Sequence, residues 1–293
     1  MKKTLIIGLL ALTNLMPTFL MAQGKSKRPK QSSSSANPTG NQWWIGVRGG
    51  VNFSSATVQN SYSVFSFTQS PTEGYDDKQY HAFSLPGLQF GFSVSYEFLQ
   101  GLSANILPSY ASYRFSYDNS FRWYDTTNPD VNVSTNYTVE TRLQYINLPL
   151  TFKYELSRGK FKPYVQAGGY YEFLTDALKK VDSRSIDQAS GSDSEINETK
   201  LSAGINDRTK KANYGILGGA GFTYNLGNAR VGLEVNYRYG LQNLDNGEMK
   251  YSDNQLVTGT YDVPDDYSLN NLELSMQVII PLKFITSKDY VPL

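Results

Sequence analysis

The chain has 293 residues, with 27 Lys and Arg against 26 Asp and Glu, no cysteine and a single histidine. A net charge near zero implies neither nucleic-acid binding nor a strongly basic partner surface, and no nucleic-acid partner is expected. The lack of cysteine excludes disulfides, thiolate metal sites, cysteine nucleophiles and an acylated N-terminal cysteine, and one histidine excludes a histidine-rich metal centre.

Residues 1–22 read as a signal peptide. Lys2 and Lys3 form its charged region, Leu5–Leu12 its apolar core, and Leu20-Met21-Ala22 a cleavage site before Gln23. Residues 23–42, QGKSKRPKQSSSSANPTGNQ, read as a disordered, basic and serine-rich periplasmic linker. No later segment has the ~18 consecutive apolar residues of a membrane helix. Strand-length segments of alternating polarity recur instead, at 43–53, 87–98, 102–117, about 136–156, 161–174, 213–226, 230–241 and about 269–284. Their connections alternate in length. Leu99–Gly101, Ser157–Lys160 and Gly227–Ala229 are short, whereas 54–86, 118–135, 175–212 and 242–268 are long.

That order predicts an all-β protein: an eight-stranded antiparallel transmembrane β-barrel over 43–284, followed by a tail at 285–293. Short turns would face the periplasm and long loops the outside. A soluble β-sandwich also alternates, but its connections rarely keep so strict a short–long order. Aromatic residues gather at both strand ends, as two interfacial belts require. Trp43, Trp44, Phe98, Tyr154, Phe161, Tyr224 and Phe284 fall at the short-turn end. Phe53, Tyr113, Phe115, Tyr117, Tyr137, Tyr171, Phe173, Tyr214, Tyr237, Tyr239 and Tyr267 fall at the other.

With apolar faces on lipid, the polar faces fill the lumen. Its expected charges are Arg48, Glu97, Lys153, Glu155, Lys162, Glu172, Glu234, Arg238, Glu273 and Lys283, five of each sign. Unpaired buried charge is costly, so these groups should neutralise one another. Eight strands leave an interior just wide enough for side chains, which predicts a plugged lumen rather than a channel. Setting Leu156 opposite Phe161 pairs Glu155 with Lys162, Lys153 with Tyr164, Thr151 with Gln166 and Pro149 with Gly168. Setting Leu226 opposite Val231 pairs Thr223 with Glu234, Gly221 with Asn236 and Gly219 with Arg238. Long polar side chains then face glycines.

The stretch LQYINLPLTFKYE (143–155) alternates with Ile146, Leu148, Leu150, Phe152 and Tyr154 on one face, yet holds Pro149. Before Tyr145 the apolar positions are odd (Tyr137, Val139, Leu143), and after it they are even. The third segment slips similarly, from Ile106, Pro108 and Tyr110 to Tyr113, Phe115 and Tyr117. One-residue slips indicate β-bulges. Proline cannot donate to a ladder, so Pro108 and Pro149 are expected to shape the strands at a local break.

The same residues carry a family likeness. YINLPLTFKYE (145–155), KPYVQAGGYYEFL (162–174) and YGILGGAGFTYNL with RVGLEVNYRYGLQNL (214–244) resemble the PorT-type outer-membrane β-barrel family of Gram-negative envelopes. The likeness runs from Trp43 to Phe284. Asn147 stands where that family often has a glutamate. The resemblance implies an eight-stranded outer-membrane barrel without a known catalytic site. The family's namesake is needed for type IX protein secretion, which fold likeness alone does not transfer.

No catalytic, cofactor or metal site is expected. His81 has Ser84 and Asp76-Asp77 near it in sequence, a weak setting for an outer-leaflet lipid hydrolase. Asp245-Asn246-Gly247-Glu248, Asp262 and Asp265-Asp266 do not have the spacing of a calcium loop. Loop 54–86 is rich in aromatics, suited either to recognition or to folding over the barrel mouth; loop 175–212 reads as mobile. The expected protein is a non-enzymatic barrel acting in envelope binding or assembly through its surface loops. Alternatives are an accessory role in type IX secretion, a purely structural role and an outer-leaflet lipid-modifying enzyme. The expected partners are outer-membrane lipid, lipopolysaccharide and envelope or secretion proteins.

Overall fold

A computed structural model describes residues 42–62, 78–124, 127, 132–187, 194–250 and 262–282. The expected signal peptide, nearly all of the linker, the tail, Lys283 and Phe284 lie outside those residues. The strands in chain order are β1 (Gln42–Asn60), β2 (Gln79–His81), β3 (Pro86–Leu99), β4 (Leu102–Ile106), β5 (Ser109–Tyr124), β6 (Asn132–Glu155), β7 (Phe161–Asp187), β8 (Ser194–Gly204), β9 (Ala212–Asn225), β10 (Arg230–Gly240) and β11 (Asp266–Pro281).

Eight walls close into a ring, in the order β1, β3, β4 with β5, β6, β7, β9, β10 and β11. Every pairing is antiparallel, and β11 returns to β1 from Trp44↔Pro281 to Asn60↔Asp266. Closure leaves the ring without a free edge. Two short strands lie outside it. β2 pairs with β5, and β8 pairs with β7.

The sequence alternates because each wall has two different media. On β6, Ile146, Leu148, Leu150, Phe152 and Tyr154 are exposed, while Asn147, Pro149, Thr151, Lys153 and Glu155 are buried. Phe90, Phe92, Val165, Ile216, Val235 and Leu274 are likewise exposed on other walls. Apolar outside and polar inside is the reverse of a soluble domain. Ile146 to Tyr154 is nine residues, the length of a tilted strand crossing a bilayer core.

Walls β5, β6 and β7 continue well past this band. Segments 118–135 and 175–212, expected as loops, largely form hairpins in which β5 pairs with β6 as far as Tyr124↔Asn132 and β7 pairs with β8. Threonine, valine and tyrosine at 133–139 suit a sheet and override the charged composition.

Both hairpin registers differ from the sequence expectation by two residues. The Leu226 amide donates to the Ala229 carbonyl at 2.8 Å, so Gly227 and Asn228 alone make that turn. Gly227 has a φ of 79°, which a side chain would strain. Glu234 then faces Gly221 and Asn236 faces Gly219, while Arg238 faces Leu217 and Thr223 faces Gly232. The other hairpin is looser. The Leu156 amide donates to the Pro163 carbonyl at 2.8 Å, the one group Pro163 can offer a ladder. Glu155 thus pairs with Tyr164, Lys153 with Gln166, Thr151 with Gly168 and Pro149 with Tyr170. An even shift moves no side chain to the other face, so the inward set keeps its composition.

The prolines break the ladder without a bulge. β4 and β5 part at Leu107-Pro108, yet register runs on unchanged: Val94↔Ile106 and Gly91↔Ser109 on one side, Ile106↔Leu150 and Ser109↔Asn147 on the other. Both prolines accept through their carbonyls, Pro108 from the Phe92 amide at 2.9 Å and Pro149 from the Leu107 amide at 3.1 Å. The bulge in this region is on β7, where Thr175 is the extra residue opposite Gln144–Tyr145.

The apparent slips have another cause. Odd positions of β6 face inward from Val139 to Glu155 without interruption. Above the apolar band, Val139, Leu143 and Tyr145 are buried inside, and so are Ala111, Tyr113, Phe115 and Tyr117 on β5. The backbone keeps its phase while the medium outside changes from lipid to water. Tyr113, Phe115, Tyr117 and Tyr267 are therefore interior residues rather than members of an outer belt, and Trp44 is interior at the other end. Trp43 remains outside, packed on Tyr96 with ring centroids 4.6 Å apart.

Candidate functional site

Inward side chains build three stacked layers. Nearest the short turns, Lys162 Nζ lies 2.7 Å from Glu155 Oε2. Arg230 Nη1 lies 3.4 Å from Glu155 and 3.8 Å from Glu97. Lys153 Nζ is 3.8 Å from Glu155 and 5.0 Å from the centre of the Tyr164 ring. The Arg230 guanidinium stacks 3.7 Å from the Trp44 ring, which explains an indole on the polar face. Glu155 and Lys162 do form an ion pair, but diagonally, because their register is displaced.

The second layer is a continuous chain of opposite charges. Arg48 Nη2 is 2.7 Å from Glu234 Oε1 and 3.9 Å from Glu273 Oε2. Arg238 Nε lies 2.7 Å from Glu273 Oε1, and its Nη1 lies 2.8 Å from Glu172 Oε1. Tyrosines complete the carboxylates: the Tyr164 hydroxyl donates to Glu234 at 2.8 Å and the Tyr113 hydroxyl to Glu172 at 2.7 Å. The Asn213 amide donates to Glu172 at 2.7 Å. Gly219 and Gly221 leave the space these groups occupy. A Cβ on Gly219 would meet Asn236 Oδ1 at 2.0 Å, and one on Gly221 would meet the Tyr164 ring at 2.8 Å. Gly168 is different: its added Cβ would strike the Leu150 carbonyl at 2.0 Å, so it permits close backbone approach rather than room for a long side chain.

Among the described residues the interior cations are Arg48, Lys153, Lys162, Arg230 and Arg238, and the interior carboxylates are Glu97, Glu155, Glu172, Glu234 and Glu273. The lumen is neutral as a whole and polarised along its axis. Three carboxylates meet two guanidiniums in the second layer, and three cations meet two carboxylates in the first. Arg230 was missed in the sequence because a four-residue turn places it outside the ladder. The tight Gly227-Asn228 turn was the signal that could have found it.

The third layer is apolar. Ala111, Tyr113, Phe115, Leu143, Tyr145, Ala177, Leu244, Tyr267 and Leu269 pack together above the charges. Over this plug sits a cap of paired charges. Lys78 lies 2.9 Å from Asp265 and 3.7 Å from Asp262, and Lys179 bonds Asp262. Lys250 bridges Asp245 at 3.1 Å and Asp266 at 2.7 Å. Burial alone would push the Asp262 carboxyl up, but Lys179 and Lys78 overcome it and hold that carboxyl well below the usual range. Burial does dominate at Asp245, whose carboxyl is raised despite Lys250. The acidic segments are thus tied down by lysines. Tyr80 of loop 54–86 packs over the mouth, its hydroxyl bonded to Asp265 at 3.0 Å.

His81 is exposed, with Nε2 2.9 Å from Asp118 Oδ2. The Ser84 hydroxyl donates to the His81 main-chain carbonyl at 3.3 Å and not to the imidazole. Asp76 and Asp77 lie outside the described residues. Among the described residues no hydroxyl meets the imidazole, which is the contact a serine hydrolase needs.

A family model described as outer membrane protein beta-barrel domain matches residues 21–246. Solved structures with a similar fold include OprG of Pseudomonas aeruginosa, 12% identical, covering 83% of this chain and 97% of that one with a TM-score of 0.42. Neisserial surface protein A is 13% identical, covering 80% and 96%, with a TM-score of 0.30. The Ail attachment invasion protein of Yersinia pestis is 10% identical, covering 82% and 99%, with a TM-score of 0.29. Identities at this level concern fold alone. No curated protein matches the chain.

Proposed function

Because the chain belongs to the outer membrane protein beta-barrel domain family, we propose that it is a non-conducting, non-enzymatic membrane anchor that holds the upper parts of β5, β6 and β7, with β2 and β8, at the cell surface for binding or assembly in the envelope. One observation carries the reading. The lumen is crossed by the Glu172–Arg238–Glu273 bridge and roofed by Tyr113, Leu143, Tyr145 and Leu269, all fully buried. A barrel filled by mutually neutralised side chains supports load and orientation rather than passage. The surrounding partner is outer-membrane lipid with lipopolysaccharide.

The test is single-channel recording of the full chain in planar bilayers, paired with recovery of cross-linked envelope proteins from cells. Absence of open steps together with specific cross-links at the β5–β8 sheet is the expected result. Stable ohmic openings would overturn the anchor reading. His81→Ala should leave binding intact; its loss together with a change in lipid composition would favour an enzyme.

A second reading is support of type IX secretion. It rests on the adjacent strands YINLPLTFKYE and KPYVQAGG, which resemble PorT-type barrels and lie side by side in β6 and β7. Loss of secreted proteins in a deletion strain, restored by the wild-type gene, is the outcome it requires.

A further inference from the structure

We propose that the outer rim of β5 and β6 binds a phosphate group of an outer-leaflet glycolipid, held by Arg142 beside the charge of Arg114. The inference goes beyond the anchor role and rests only on membership of an outer-membrane barrel family. The first observation is where the rim lies. On β5 and β6 the apolar residues change from the outer to the inner face between the paired residues Tyr110↔Ile146 and Tyr113↔Leu143. Lipid therefore ends at that level. Arg142 is four residues above Ile146, which is ~13 Å along a strand and less along the bilayer normal because barrel strands tilt. That is the depth of a headgroup phosphate.

The second observation is the pairing itself. Arg114 and Arg142 are direct cross-strand partners on the outer face. Like charges in that position repel unless an anion sits between or beside them. The internal anions answer only half of this. Glu140 Oε1 takes both Nε and Nη2 of Arg114, at 2.9 and 2.7 Å, and the Pro86 carbonyl takes its Nη1 at 3.3 Å, so Arg114 is engaged and adds its charge rather than an open fork. Arg142 has only Asp176, at 3.8 Å, and makes no hydrogen bond within the described residues. Its side chain is 39% exposed although Nε is buried, so the terminal nitrogens are the ones a ligand can reach. Guanidinium nitrogens match the oxygens of a phosphate two at a time. Lys180, the partner of Glu140 on β7, adds a third cation to the same face.

The third observation favours a lipid over a free anion. Directly below the arginines, Ile146 and Phe90 offer an exposed apolar surface, and Tyr110 packs on Phe90 with centroids 5.6 Å apart. A phosphate carried on an acylated glycolipid would satisfy the fork and this surface at once.

The test uses the purified full chain in detergent, titrated with a bisphosphorylated acylated disaccharide lipid and with its dephosphorylated form, and read by native mass spectrometry. Wild type should retain the phosphorylated lipid at least about tenfold better. Arg114→Gln with Arg142→Gln should remove that preference, and the gel shift on boiling would show that the variant is folded. Asp176→Asn, which removes the carboxylate facing Arg142 Nη2, should tighten binding. Inorganic phosphate at the same concentration should not displace the lipid. Equal retention of the two lipids, an unchanged preference in the double variant, or displacement by inorganic phosphate would each overturn the proposal, and none bears on conductance.

Discussion

Arg238 Nη1 donates to Glu172 Oε1 at 2.8 Å across the lumen, between residues 66 apart in the chain. Arg238 also holds Glu273, so one guanidinium ties β10 to β7 and β11. Removing it leaves two buried carboxylates facing an apolar roof. Arg238→Met should therefore cost ~3–5 kcal/mol, the usual penalty for stranding one side of a buried ion pair. Converting Glu172 and Glu273 to Gln in the same chain should recover most of the loss. Urea unfolding from lipid vesicles measures both. A single variant as stable as wild type would show that the bridge contributes nothing.

Glycine spacing gives an internal control. Gly221→Val places a Cβ 2.4 Å from the Leu233 carbonyl and 2.8 Å from the Tyr164 ring, whereas Gly218 points outward with its nearest atom at 3.9 Å. Gly221→Val should lose folded yield, by a destabilisation of several kcal/mol at the upper end for point substitutions. Gly218→Val should fold normally. Yield of the heat-modifiable form on gels separates them, and equal yields would contradict the packing.

The absence of cysteine makes register directly measurable. Phe152 and Ala167 are cross-strand partners on the outer face, and Phe152 and Val165 are the pair that the tighter register would bring together. Cysteines at 152 and 167 should form a disulfide under mild oxidation, because partner Cβ atoms lie at bonding distance. Cysteines at 152 and 165 should not. The reverse pattern would restore the register expected from the sequence.

Asp262 makes the cap acid-sensitive. Its folded carboxyl is held below its unfolded value by Lys179 and Lys78. The stabilisation is complete above the unfolded value of about 3.9 and is lost as pH falls below it. Hydrogen exchange at 262–265 should quicken below about pH 4 in wild type. Asp262→Asn should exchange quickly at neutral pH and lose the pH dependence. Identical profiles would remove Asp262 from the latch.

Architecture was legible in the sequence because a two-residue register error preserves faces. Arg48, Glu172, Glu234, Arg238 and Glu273 could be assigned to the lumen although their partners were displaced. What misled was a single rule, that an apolar residue on a barrel wall meets lipid. The rule holds from Ile146 to Tyr154 and reverses above Tyr145, where the wall stands in water and encloses an apolar plug. Tyr113 and Leu143 thus looked like belt residues and a strand irregularity. Local composition also concealed the hairpins beyond the bilayer, since the charged residues of 175–204 alternate around a ladder that only the neighbouring strands supply.

The seam between β1 and β11 has a consequence in time. Residues more than two hundred positions apart must meet before either strand has both neighbours. Until then the growing sheet carries two open margins with unspent amides and carbonyls, and its lipid-facing side chains have no lipid. Assembly therefore ends in one cooperative step that cannot be taken by instalments. A chain stalled before its last strand keeps those margins uncovered and is a template for aggregation rather than a smaller barrel.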